Sequence, residues 1–442
     1  MSARRHRLCA ALAAGGGLLL AGAGLLLDAP RGAVEWGAAR VVVIESDDWG
    51  LCGFFPAAAP TAAARAHLGG GFPPPYWDST LEDSADVAAL AGLLARHAGR
   101  DGLPPVLQAN MIVSALEPPG AERPADVAWR RIDLPDLPRG YARPGLVAAV
   151  DAAIGAGVWR PELHGAFHYD PARREAALAT HPGLRPLLEE TVLCPGSDTA
   201  WELGCWRATG ELRGELARSV AVFTARFGHR PVSVCAPDYV WDPRCERLWA
   251  EQGLTVIQAK REQLDSRRPR GGMVARGRKA LARAWDRWRH PERSYLDRNC
   301  RFEPAQAPDS AAALAGCLAA IRQAWARGEP AIVETHRVNF VSLAPGAAAA
   351  GRRQLDRLLA ALAADPGGRP LYLTDAELAQ LGRDGTSCAW RGGSLVVRNL
   401  TRGARVVATP EGAGAAPRLL VVPPGATLLQ EPGRPHFRPA RR

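Results

Sequence analysis

Asp47-Asp48, His164-Gly-Ala-Phe-His168 and His336 are the residues of this chain whose types and placement could do chemistry together. Each set closes a run that reads as a buried β-strand: Arg40–Ser46, Val158–Leu163 and Ala331–Thr335. Two imidazoles and one carboxylate make a three-ligand site with a position left for water, the pattern of catalytic zinc. Such an ion lowers the pKa of its water and polarises a carbonyl. A second carboxylate can then take the water's proton, and a histidine across the site can protonate the leaving group. Adjacent aspartates in an extended chain point to opposite sides, so one can ligate while the other faces substrate. Taken singly, the aspartate pair reads as a helix N-cap, the His-x3-His as surface or core histidines, and His336 carries least. At the same end of separate strands they read as a metal hydrolase.

The elements that position them follow a rhythm. Seven runs read as strands covered on both faces: Arg40–Ser46, Pro105–Val113, Val158–Leu163, Pro231–Ala236, Gly253–Gln258, Pro330–Thr335 and Pro370–Thr374. Helical patterns lie between them at Val87–His97, Pro144–Ala156, Glu211–Phe227, Ser310–Arg327 and Arg352–Ala364. Strand alternating with helix predicts a parallel sheet. Seven strands suit a barrel whose strand C-termini converge on one active face; an open doubly wound sheet is the alternative. Asp170-Pro171 predicts a helix start, which puts both histidines in the loop before it. Residues 260–308, arginine-rich with Trp285, Trp288 and Tyr295, read as an insertion, either a lid or a solvated excursion. After Leu381, the runs Ser394–Val397, Ala404–Ala408, Leu419–Val422 and Thr427–Gln430 predict a small antiparallel β unit over 386–432.

Composition narrows the class. Nearly half of the 442 residues are hydrophobic, so a large core can form. The net charge of +10 comes from arginine, since Lys260 and Lys279 are the only lysines. No basic recognition helix, aromatic-basic motif or zinc-finger spacing accompanies it, so nucleic acid is not an expected partner. Arg4, Arg5 and Arg7 precede an uncharged stretch from Leu8 to Leu27. Residues 1–30 thus read as a secretory signal or a retained membrane anchor, with the remainder exported to the periplasm or beyond. Beyond Cys9 eight cysteines remain, an even number suited to an oxidising compartment. Cys194 and Cys205 bracket a short loop and are expected to bridge; Cys235 and Cys245 are a further candidate pair.

With these residues in place, residues 38–382 resemble the polysaccharide deacetylase family, carbohydrate esterases built on a distorted (β/α)7 barrel. That resemblance implies Asp47 as base, Asp48, His164 and His168 as metal ligands, and His336 as acid. Arg230-Pro-Val-Ser-Val-Cys-Ala-Pro-Asp-Tyr-Val-Trp241 is similar to the family's third motif, which implies substrate contacts from Asp238, Tyr239 and Trp241. The chain departs from the family at three points. Trp49 separates Asp48 from Gly50, Gly165 replaces a Ser or Thr, and Ala236 stands where an arginine normally orients the catalytic aspartate. Arg298 and Arg337 are the candidates to replace that arginine.

The expected function is therefore metal-dependent removal of acyl groups, acetyl foremost, from a glycan, with zinc as the expected ion. Tyr76, Trp77, Trp49 and Trp241 could stack on sugar rings or pack in the core. A glycoside hydrolase or lyase using Asp47, Asp238 or Glu45 as its carboxylate pair, and a non-catalytic glycan-binding protein, are the competing readings.

Overall fold

The computed structural model describes residues 34–52, 74–117, 130–180, 201–260, 263–267, 285, 288–410, 418–432, 434 and 436–440. Its main sheet is parallel. The strands are β1 (Val41–Trp49), β2 (Leu107–Ile112), β3 (Trp159–Gly165), β4 (Ser233–Cys235), β5 (Val256–Ala259), β6 (Ser294–Asp297), β7 (Cys300–Arg301), β8 (Ala331–His336) and β9 (Leu371–Tyr372). They run in the order β6-β5-β4-β3-β2-β1-β8-β7, with β9 beside the first residues of β1.

The two ends of that order meet. β6 pairs with β5, β7 pairs with β8, and only Arg298 and Asn299 separate them. The Arg298 N–H donates to the Ala259 carbonyl and the Asn299 N–H to that of Ile332. One irregular stretch, Ser294–Arg301, thus closes the ring, giving the distorted barrel that the seven strand runs predict. This stretch falls inside the segment read as an insertion. It carries no apolar run to mark it as a strand.

Side chains alternate along each strand. Val42, Ile44, Leu107, Ala109, Leu163 and Val333 face outward and are buried against Leu90, Leu94, Phe223, Trp249 and Leu358 of the surrounding helices. The inward set is layered. Val41, Val43, Val256, Leu296, Ile332 and Leu371 plug the N-terminal end with hydrocarbon. Above them Glu45, Gln108, Asn110, Ser233 and Gln258 are buried polar groups. They satisfy one another: Asn110 and Gln258 exchange amide hydrogen bonds at 2.6 and 2.8 Å, and Gln258 also donates to Ser233 Oγ at 2.8 Å. Pairing makes most of this buried polar layer tolerable; Glu45 Oε1 and Gln108 Nε2 are its two atoms with no hydrogen-bond partner among the described residues.

The antiparallel unit follows the helix Asp375–Asp384. It contains β10 (Thr386–Arg391), β11 (Ser394–Asn399), β12 (Arg405–Ala408), β13 (Leu419–Val422) and β14 (Thr427–Gln430). β10, β11 and β14 form one sheet, and β12 and β13 form a hairpin whose Val407 and Val422 pack on Leu395 and Val397. Arg391 fixes the unit to the barrel by donating to the carbonyls of Gly157, Tyr372 and Pro104. Gly157 and Pro104 just precede β3 and β2, so the unit sits at the N-terminal end of the strands.

Cys235 and Cys245 are separate buried thiols, so that candidate bridge does not form. Cys194 lies outside the described residues, and the expected Cys194–Cys205 bridge with it. The apolar run Leu8–Leu27 lies outside them too; among the described residues no helix is long and apolar enough to cross a membrane.

Candidate active site

Two backbone irregularities aim the first ligands. Between β1 and β2 the register shifts at Asp47-Asp48, and between β2 and β3 it shifts at His164. Bulges of this kind re-aim side chains at barrel rims. Asp48 adopts φ 72°, which breaks the pleat and lets both aspartates serve one mouth. Asp48 Oδ1 lies 3.5 Å from His164 Nε2 and 3.3 Å from His168 Nε2. Ligands about 2.0–2.1 Å from a tetrahedral ion stand about 3.3–3.4 Å apart along each edge. The two carboxylate–imidazole separations therefore fit one small divalent ion.

The tautomer fits as well. His164 Nδ1 lies 2.9 Å from the Cys235 carbonyl, which can only accept, so Nδ1 carries the proton and Nε2 presents its lone pair. His168 sits at φ 71°, in a loop held by one side chain. The Glu202 carboxylate accepts from the N–H groups of Ala166, Phe167 and His168 at 2.7, 3.1 and 2.7 Å. A Cβ on Gly165, at φ 140°, would lie 2.6 Å from Glu202 Oε2. That collision leaves no room for a side chain at position 165. Glu202 is thirty-four residues from His168 and no motif marks it in the sequence.

Asp47 points into the barrel and is saturated with donors. Arg298 Nη1 and Nη2 grip its two oxygens at 2.6 and 2.8 Å, and Asn110 Nδ2 donates at 2.6 Å. Tyr239 OH donates to it at 3.3 Å. Burial alone would raise this carboxyl, but the Arg298 guanidinium, with His164 behind it, holds it well below the usual carboxylate range. Arg298 reaches Asp47 from the barrel-closing stretch. Its Nε also donates to Glu45 Oε2 at 2.5 Å, one layer deeper. Burial first, then the neighbouring Asp375 carboxylate, push Glu45 well above its ordinary pKa.

His336 faces Asp47 across the mouth, with 3.7 Å between Nε2 and Oδ2. Its Nδ1 lies 2.6 Å from Glu303 Oε1. Burial would lower this imidazole, yet Glu303, followed by Asp48 and Asp47, raises it to about 10. Glu303 is in turn fixed by Asn339 Nδ2 at 2.6 Å and Gln306 Nε2 at 2.8 Å. Tyr76, half-buried, stands edge-on to His336 with ring centres 6.3 Å apart. Like Glu202, Glu303 carries no sequence signal beyond its distance from His336 along the chain.

Other expected contacts fall elsewhere. Trp241 is buried and donates to Glu246 at 2.9 Å, away from the mouth. Trp49 is buried edge-on to Trp159 and donates to Ser46 Oγ at 2.9 Å; Trp77 is buried as well. Arg337 is fully buried and binds the Leu51 carbonyl and Glu82, with Glu82 also accepting from the Gly50 N–H. It fixes the loop after β1 rather than opening to the mouth. Asp238, at φ 56°, is exposed at the rim, and Tyr239 is half-buried beside Arg298. Glu45 is fully buried, so it has no route to a glycosidic bond.

Among the described residues, two other groups bring potential ligand atoms together: Asp47, His164 and Cys235, and Glu303, Glu334 and His336. Their donors are already engaged, Asp47 by Arg298, Glu334 by Lys260 at 2.5 Å, and His336 by Glu303. Asp48, His164 and His168 alone have their ligand atoms turned to each other.

Among solved structures, the chain resembles polysaccharide deacetylases. A protein described as a probable polysaccharide deacetylase from Pseudomonas aeruginosa PAO1 aligns at a TM-score of 0.41 and 10% identity, over 79% of this chain and 93% of that one. A family 4 carbohydrate esterase from Streptomyces lividans, in complex with acetate, aligns at 0.30 and 11%, over 80% and 96%. The carbohydrate deacetylase Agd3 aligns at 0.38 and 10%, over 91% and 65%. No family model matches the chain, and no curated protein does. At these identities the roles of individual residues rest on this chain's own side chains.

Proposed function

We propose that the protein is a metal-dependent hydrolase that removes acyl groups, acetyl foremost, from a glycan outside the cytoplasm. The observation that carries this reading is one carboxylate and two imidazoles at ion-sharing distances, flanked by Asp47 and His336. Asp48, His164 and His168 would hold the ion; zinc, favoured by this donor set, would polarise the acyl carbonyl and acidify a water. Arg298 and Asn110 keep Asp47 ionised and fixed, so it stands as acceptor for the attacking water's proton. Glu303 keeps His336 protonated, so its Nε2–H can be given to the departing sugar oxygen or nitrogen. Tyr76 and Asp238 border the mouth and would contact the glycan. The apolar run after Arg4, Arg5 and Arg7 supports export.

The test is product analysis. Zinc-loaded protein is incubated with N- and O-acetylated oligosaccharides, and acetate and reducing ends are both measured. Acetate without new reducing ends, lost in Asp48→Ala, is expected. Reducing ends without acetate would replace deacetylation by glycosidic cleavage. A reporter fused after residue 40 that stayed cytoplasmic would remove the claim of export.

A further inference from the structure

The hairpin of β12 and β13 turns one face inward and leaves the other uncovered. Val407, Leu420 and Val422 pack on the sheet beneath. On the opposite face Val406, Leu419 and Val421 are 64%, 78% and 65% exposed, with Val406 and Val421 directly paired across the strands. A soluble surface has no use for three adjacent bare aliphatic side chains on a small hairpin.

The charge around this face is lopsided. Residues 386–442 hold nine arginines against two glutamates; of these, Arg391 and Arg398 are buried at the joint with the barrel, Arg398 paired with Asp101 and Glu377. Arg405 and Arg418 are exposed and next in the chain to Val406 and Leu419, in register with the inward-facing side of the hairpin, and Arg402 is exposed in the loop before β12. Arginines bordering an apolar surface fit an anionic lipid interface, where headgroup phosphates meet the guanidinium groups and acyl chains meet the aliphatics.

The N-terminus adds a third observation. Glu35 pairs with Arg402 in the loop leading to β12, and Val34 and Trp36 pack in the same cluster as Leu400. The uncharged run N-terminal to Val34 ends at Leu27. Six residues, 28–33, separate that run from Val34, so Leu27 lies at most about 25 Å from Val34 when the chain is extended.

We infer that the exposed face of the β12–β13 hairpin docks on an anionic bilayer surface. The antiparallel unit sits at the N-terminal ends of the barrel strands and the candidate site at their C-terminal ends. Docking through this face leaves the catalytic mouth on the far side of the barrel from the lipid. A glycan would reach it without crossing the headgroups.

The full chain is added to preformed vesicles of phosphatidylcholine alone or with phosphatidylglycerol, then treated with trypsin. Cleavage after Arg402 and Arg418 is followed by mass spectrometry. Cleavage at least about tenfold slower with phosphatidylglycerol vesicles than with neutral ones is expected, given the contribution of each arginine near an anionic surface. Val406→Glu with Val421→Glu, both exposed positions, should restore the rate while acetate release stays unchanged. Equal cleavage on both vesicles overturns the inference. So does protection without vesicles accompanied by a dimer in light scattering, which would assign the face to a second copy.

Discussion

Arg298 grips Asp47 with both Nη atoms, at 2.6 and 2.8 Å, although 251 residues separate them in the chain. The guanidinium enters from the stretch that joins the two ends of the barrel sheet. The part that closes the ring is therefore also the part that fixes the charge of the expected base.

Removing this arginine takes from Asp47 its closest cation, leaving His336 at 3.7 Å, and leaves Glu45 without its ion-pair partner. Breaking a buried ion pair by deleting one partner costs about 3–5 kcal/mol. Arg298→Met should lose that much in urea unfolding. Glu45→Gln should lose far less, because burial and Asp375 already favour the uncharged form of Glu45, and a glutamine oxygen can still accept from Nε. Equal losses in the two variants would mean that Glu45 is charged in the folded protein.

Metal content separates the two aspartates. His168→Ala and Asp48→Ala should each abolish stoichiometric zinc by elemental analysis. Asp47→Asn should retain the ion while lowering turnover roughly 10²–10⁴-fold. A zinc-free Asp47→Asn protein would transfer the ligand role to Asp47.

Ion binding should release a proton. Burial would lower the His168 pKa, but Asp238 and then Asp48 raise it to about 9 in the ion-free site. A ligand must be unprotonated, so at pH 7 zinc displaces about one proton and affinity falls as pH falls. Calorimetry in buffers of different ionisation enthalpy measures that proton; identical heats in all buffers would contradict the reading.

The proposed acid, His336, has a pH signature. Glu303 raises His336, so its proton is held below a pH of about 10 and lost as pH rises through that value. Stability from the pair has the same sign, full below the ordinary histidine pKa of about 6.5 and fading toward pH 10. Glu303→Gln should move the alkaline limb of kcat/KM down toward about 6.5. A limb unmoved by Glu303→Gln would assign it to another group.

The strand–helix rhythm was legible because most barrel strands are continuous Val, Ile and Leu runs, as in Val41–Ile44 and Ala331–Val333. Ser294–Arg301 was not, since Tyr295 and Leu296 are its only apolar strand residues besides Cys300 and are too few to mark a core strand among Ser294, Asp297, Arg298, Asn299 and Arg301. Asp48, His164 and His168 were legible from their spacing and strand-end register. Glu202 and Glu303 were not, because a carboxylate that braces a loop or an imidazole needs only to be near in space. The tryptophans show the converse. Trp49 and Trp241 have the composition of a sugar platform, but their indole N–H groups find partners at Ser46 and Glu246 and their rings fill the core.

The polar layer inside the barrel also bears on biosynthesis. β1 leaves the ribosome with Glu45 and Asp47 destined for the interior, and the cation that makes their burial tolerable is made some 250 residues later. Until Arg298 arrives, the acidic end of β1 is better hydrated than enclosed. Contacts this distant are slow to form. A nascent chain would therefore keep its half-built ring open, and a truncation before residue 294 would yield an acidic open sheet, dependent on chaperones, instead of a smaller barrel.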